Sequence, residues 1–299
     1  MKSPITGSED CTLIESFNSA TITQKYAAEF NMEVSRYFAH CPTVQLYQCN
    51  QTGYRFYYPF DIYADGAFYA QLNSDNKGYY KKDRWEHTDA IRFVAEGKNM
   101  LEVGCGDGAF LKMAVQKKCT VTGLELNDVA IQQCVQDGLN VIGATIEEHA
   151  TTHPAQYDVV VFFQVLEHIT NISSFVGAAI TCLKPGGTLI IGVPNNNPYI
   201  FRHDKWHTLN LPPHHAGLWS TTSLSNLQEV LPLSLTALHV EPLYEYKTWY
   251  QAHITHFKET APFKATLLSL VPRFIYKSVL ALFRNAIAGR NIVAIYSKK

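Results

Sequence analysis

Charge of either sign is in short supply. Lys and Arg number 25 against 26 Asp and Glu, and charged residues make up 17% of the 299. So balanced a chain has no broad basic surface to grip a phosphate backbone, and nucleic acid is not the expected partner. Long apolar runs are missing as well. No uncharged stretch of 18 residues could span a bilayer, and no signal-type apolar segment opens the chain, so a cytoplasmic location is expected. The seven cysteines are odd in number and irregular in spacing, which does not make a disulfide framework and suits a reducing compartment. There is no internal repeat.

What is present falls into regions. Residues 1–83 are rich in Tyr and Phe and short of long periodic segments; YRFYYPFDIYADGAFYAQL reads as short strands and turns around aromatic packing. From Arg84 the pattern changes. WEHTDAIRFVAEG has helical spacing, and then NMLEV, CTVTGL, LNVIG, YDVVVFF, TLIIGV, LTALHV and NIVAIYS read as strands, with helical segments between the first five. That alternation predicts an α/β domain over 84–299 with a mostly parallel sheet. A helical insertion at about 255–288 interrupts the last two strands.

Ligands of open α/β sheets lie past the carboxyl ends of the strands. After the first come Glu102, Gly104, Gly106, Asp107 and Gly108, a turn that brings backbone close to a ligand at a helix start. With Ala109 the glycines also fit a dinucleotide fingerprint. Asp107, however, puts a carboxylate where a pyrophosphate would dock, and Glu102 adds another, which suits a ligand with a cationic end. Glu125, 17 residues beyond Gly108, ends the second strand with Leu126 beside it, where an acid accepts hydrogen bonds from ribose hydroxyls. After the third strand, Ile146 is placed to pack on adenine, with Glu147 as a polar neighbour.

The series LEVGCGDG, GLELND, YDVVVFFQVLEH and LKPGGTLIIGVPN resembles the class I S-adenosylmethionine-dependent methyltransferases, in order and at their usual separations, over residues 84–249 and 289–299. The resemblance implies a Rossmann-like seven-stranded sheet with a reversed last strand, for which IVAIYSKK is the candidate. It also implies that Gly104 and Gly106 flank the methionyl end of the cofactor, that Glu125 binds ribose, and that Gln164 lies beside the sulfonium. The N-terminal segments VQLYQCNQTGYRFYYPF and GYYKKDRWEH resemble the leader of bacterial methyltransferases acting on small molecules and cell-surface glycans. Many of those begin with paired C-x-x-C zinc knuckles. Here only Cys41 and Cys49 remain, with Val44 and Thr52 where partners would fall, so a metal-free module is expected.

The expected activity is methyl transfer from S-adenosylmethionine, most readily to a hydroxyl of a small molecule or glycan-type acceptor. N- or C-methylation, and a binding protein without turnover, are the alternatives. Asp107 and KPGG speak against an oxidoreductase. A hydroxyl acceptor needs a base. Glu167 and His168 follow the fourth strand, and DKWHTLNLPPHH after the fifth adds His203, His207, His214 and His215; His168 with His214 or His215 is the expected pair. Helix capping by Glu167 and backbone bonding by the loop histidines are the plainer roles. An E-x-x-E-H pattern binds a divalent ion in ubiquinone-biosynthesis O-methyltransferases and small-RNA 3′-end methyltransferases. Gln164 replaces its first acid, so no metal is assigned, although Glu167, His168 and one PPHH histidine would still offer three ligands.

Residues 260–288 hold four basic and no acidic residues, with apolar residues at helical spacing and Pro272 dividing two helices of about ten residues. Such a composition suits an anionic membrane interface. It equally suits a cover over the cleft or a partner subunit, and packing is the commoner use of such insertions.

Overall fold

The computed structural model describes residues 1–75, 84–197 and 204–299. Near the N-terminus, β1 (Cys11–Asn18), β2 (Thr43–Cys49) and β3 (Arg55–Tyr58) form an antiparallel sheet. Within YRFYYPFDIYADGAFYAQL, expected to be short strands and turns, a helix instead begins at Gly66 and runs as Gly66–Asp75. Between β1 and β2 lies another helix, Ser19–Phe30, in a region where the sequence shows no long periodic segment. Its ends are set by two asparagines. Asn18 accepts N–H bonds from Ala20 and Thr21, and Asn31 closes it in the left-handed conformation at φ 53°. Only Ser19, Ile22 and Tyr26 are buried on it, too few to print a visible periodicity.

The central sheet contains β4 (Asn99–Val103), β5 (Thr120–Leu124), β6 (Val141–Ile142), β7 (Tyr157–Phe163) and β8 (Leu183–Pro194). These five are parallel neighbours in the order β8-β7-β4-β5-β6, and near-continuous apolar runs fit strands covered on both faces. Strand β9 (Gly217–Leu218) leaves this sheet and pairs with β3, completing the N-terminal sheet. Strands β10 (Leu233–Pro242) and β11 (Ala288–Lys298) return to the central one, β11 lying antiparallel between β8 and β10. The chain is therefore α/β with a seven-stranded Rossmann-like sheet and a reversed last strand, as the sequence predicts.

The aromatic-rich segment shares its packing with the rest. Phe17, Tyr26, Phe38 and Phe68 form one buried cluster with Leu211 and Leu218 from the stretch around PPHH. Ile5, Tyr54 and Phe56 instead join the core of the central sheet. The insertion between β10 and β11 comprises helices Tyr246–Thr260, Pro262–Leu270 and Arg273–Phe283, so helix begins about nine residues before the expected 255.

Candidate active site

The turn after β4 is built on left-handed backbone. Gly104, Gly106 and Gly108 have φ of 70°, 53° and 71°. A Cβ on Gly104 would lie 2.6 Å from Val165 Cγ2, so only glycine fits there without displacement. The turn is anchored to the next strand: the Gly104 and Cys105 N–H groups donate to the Leu124 carbonyl, and the Gly106 N–H donates to Glu125 Oε2 at 2.9 Å. Glu125 Oε1 accepts from the Leu126 and Asn127 N–H groups at 2.8 and 3.0 Å. The carboxylate thus braces the turn as well as facing the cleft.

That cleft has a volume of about 1200 Å³ and runs along the carboxyl edge of the sheet. Glu102, Gly104, Gly106, Asp107, Glu125, Leu126, Gln164, Glu167, His168, His214 and His215, all singled out from sequence, line it. Glu102 is 3% exposed, and its Oε2 has no hydrogen-bond partner. Burial drives its pKa well above the ordinary carboxyl value, with the Arg84 guanidinium offsetting part of the effect. Gln164 sits in the left-handed region at φ 54° and donates from Nε2 to Asn291 Oδ1 at 3.3 Å. Ile146 and Glu147 do not line the cleft. Ile146 is 1% exposed within the core, at the first turn of helix Ile146–Thr152.

The other end of the cleft carries the imidazoles. The His214 carbonyl accepts from His168 Nδ1–H at 2.7 Å, and the Tyr69 hydroxyl oxygen lies 3.1 Å from the same nitrogen. His214 Nδ1–H donates to the Leu209 carbonyl at 2.8 Å. Both rings are thereby fixed as the tautomer whose Nε2 keeps a lone pair. His215 Nδ1 is buried with no hydrogen-bond partner. The metal-capable nitrogens of His168, His214 and His215 all lie within 4.8 Å of one another, and this is the one such group found among the described residues. Beside them Glu167 is 1% exposed, with Oε1 3.8 Å from His168 Nε2 and Oε2 unpartnered.

Desolvation sets the protonation of this end. Burial pulls His168 down to about 4 and His214 to about 3, holds His215 well below the usual histidine value, and pushes Glu167 up to about 8. At neutral pH the cluster is three neutral imidazoles beside a protonated carboxyl. The loop is held from three directions, by the turn after β7, by β3 and by the segment after β3. The Ala216 N–H donates to the Glu167 carbonyl at 2.7 Å, the Ala216 carbonyl accepts from Tyr57 N–H at 3.0 Å, and Ala64 N–H donates to the Pro213 carbonyl at 3.0 Å.

Of the other loop histidines, His207 does not line the cleft and His203 lies outside the described residues. Cys41 lies two residues before β2 and Cys49 ends it, so the length of the strand, roughly 20 Å at about 3.3 Å per residue, intervenes between them along the chain. Several lining residues went unread in the sequence: Tyr69, Arg84, His87, Glu241 and Arg290 among them. Glu241 was within reach of the strand-end rule, since it stands next to last in β10. Burial pushes it up to about 7 and pulls His87 down to about 4.

Comparison with known proteins adds family evidence. A family described as a methyltransferase domain matches residues 77–231, a little over half of the chain. A ubiquinone biosynthesis O-methyltransferase of Klebsiella pneumoniae subsp. pneumoniae is 38% identical over 107 residues, 34% of this chain and 44% of that protein. One from Saccharophagus degradans is 35% identical over 126 residues, 40% and 53% of the respective lengths. The chain thus spans about half the length of the curated relatives it matches. A SAM dependent methyltransferase from Archaeoglobus fulgidus shares the fold, with a TM-score of 0.51 at 16% identity over 78% of this chain and 100% of that one.

Proposed function

The chain belongs to the methyltransferase-domain family, and on that premise we propose that it transfers a methyl group from S-adenosylmethionine to a hydroxyl oxygen of a small-molecule or glycan-type acceptor. The observation that carries this reading is the two-ended cleft, with the glycine turn and acids at one end and the three imidazoles at the other. The first end fits the cofactor. Glu102 Oε2 is a buried acceptor in want of a donor, which an ammonium group supplies, and the Gly104 cradle has no room for a side chain. Glu125 offers ribose a carboxylate, and the acids at 102 and 107 disfavour a pyrophosphate. Bound there, the cofactor supplies an electrophilic methyl, so the protein's task is to align the acceptor and manage its proton. In this reading the lone pairs on His168 and His214 Nε2 take that proton.

A second reading rests on the same imidazoles. A base near pKa 4 deprotonates a hydroxyl poorly at neutral pH, whereas neutral imidazole with its other N–H tied to a carbonyl is the form that ligates a divalent cation. His168, His214 and His215, with Glu167 beside them, fit such a cation, whose chemistry is to lower the pKa of a ligating hydroxyl.

The test is calorimetry with S-adenosylhomocysteine and nicotinamide dinucleotides, followed by transfer of labelled methyl to a panel of hydroxylated acceptors with and without chelator. Binding of the first ligand alone is expected. A dinucleotide that binds in its place overturns the reading, and activity lost to chelator and restored by manganese selects the cation over the imidazole base.

A further inference from the structure

The insertion between β10 and β11 is amphipathic in an unusual sense: its inner face is packed and its outer face is also apolar. Inside, Tyr276 and Leu280 join Leu243 and Trp249 in a small cluster. Outside, Phe263, Leu267 and Leu270 follow one another at i, i+4 and i+7, and stand 64, 60 and 74% exposed. The next helix continues the surface with Phe274 and Leu282, 71 and 82% exposed. No residue of Arg273–Phe283 is buried, so the chain's own core does not account for this apolar face.

Charge identifies what covers it. The chain as a whole is nearly neutral, yet residues 260–288 carry Lys264, Arg273, Lys277 and Arg284 and no acid. Arg273, Lys277 and Arg284 fall at i, i+4 and i+11, one stripe along the edge of the apolar arc. Their heads lie over tyrosine rings of the preceding segment: Arg273 over Tyr250 at 5.6 Å, Lys277 over Tyr246 at 6.0 Å and Arg284 over Tyr244 at 5.4 Å. An apolar face rimmed by cations and aromatic rings matches the layering of a lipid headgroup region. The geometry matches too. Helices of 9 and 11 residues are about 14 and 17 Å long, roughly half a hydrocarbon core, and they meet at 99°, so the pair can lie in an interface.

We infer that helices Pro262–Leu270 and Arg273–Phe283 dock the protein on an anionic membrane surface. Tyr244 and Glu245 on one side of the insertion, and Arg290 and Asn291 on the other, line the cleft, so docking brings its rim to the bilayer. The inference stands apart from the methyl-transfer reading and has its own assay. Full-length protein is sedimented with phosphatidylcholine vesicles containing phosphatidylglycerol, and with phosphatidylcholine alone. Binding to the anionic vesicles, weakened by salt, is expected. R273A/K277A should weaken it roughly thirtyfold. L270S/F274S/L282S should abolish it while the melting temperature holds, since these side chains are exposed. No binding of the unaltered protein to anionic vesicles overturns the inference. So does a dimer in light scattering that the serine variant dissociates while vesicles stay unbound, which would make the face a contact between copies.

Discussion

Glu125 has less spare capacity than its strand-end position implies. Three backbone N–H groups already bond its carboxylate, leaving about one of its roughly four acceptor positions for a ribose hydroxyl. Removing it should therefore act twice. Glu125→Ala is expected to weaken S-adenosylhomocysteine by about 1.5–3 kcal/mol in calorimetry and also to lower the urea midpoint, because the Gly106, Leu126 and Asn127 donors lose their acceptor. Unchanged affinity would take Glu125 out of the ribose site. Gly104→Ala meets two obstacles, its φ of 70° and Val165 Cγ2, and should cost about 1–3 kcal/mol. Val165→Ala in the same chain should recover the steric part and not the backbone part. The glycines and acids were legible because their letters alone dictate backbone reach and charge. The imidazole tautomers were not, since they depend on the Leu209 and His214 carbonyls, which the fold delivers.

Among the elements, NMLEV and YDVVVFF appear at the expected residues because strands buried on both faces need continuous apolar runs. The helix Ser19–Phe30 escaped reading for the opposite reason, its short buried stripe being outweighed by its two caps. Strand β9 was illegible: two residues have no pattern, and only their partner β3 makes them a strand. Yet β9 matters to the site, because Ala216 just before it ties the PPHH loop to Glu167 on one side and to Tyr57 on the other. Ala216→Pro removes the N–H that donates to the Glu167 carbonyl. It should cost about 1–3 kcal/mol in urea unfolding and lower kcat for methyl transfer more than cofactor affinity. Equal losses in both would mean that this tie steadies the whole cleft and not its histidine end.

For the molecule as a whole, the buried cleft groups set how stability varies with pH. In ligand-free protein treated with chelator, His87, His168, His214 and His215 all have folded pKa values pulled below their unfolded value of about 6.5. Their contribution is present above that value and is lost as pH falls toward about 4 and about 3, because the unfolded chain takes up protons that the folded one refuses. Glu102, Glu167 and Glu241 run the other way. Their folded pKa values are raised, the last two to about 8 and about 7, so their contribution is present below about 4.3 and lost as pH climbs through 7 and 8. Below about 6.5 the imidazoles outnumber the carboxyls, and above it only the carboxyls act. The melting temperature should therefore peak near pH 6.5 and fall on both sides. Calorimetry from pH 4.5 to 9 checks this, and a melting temperature still rising between pH 7 and 8.5 would contradict it. A divalent cation at the three imidazoles and Glu167 would change the basic limb most, since it keeps Glu167 ionised and competes with protons for the site. Added manganese should then raise the melting temperature more at pH 8 than at pH 6, whereas imidazoles acting only as a base predict no such gain.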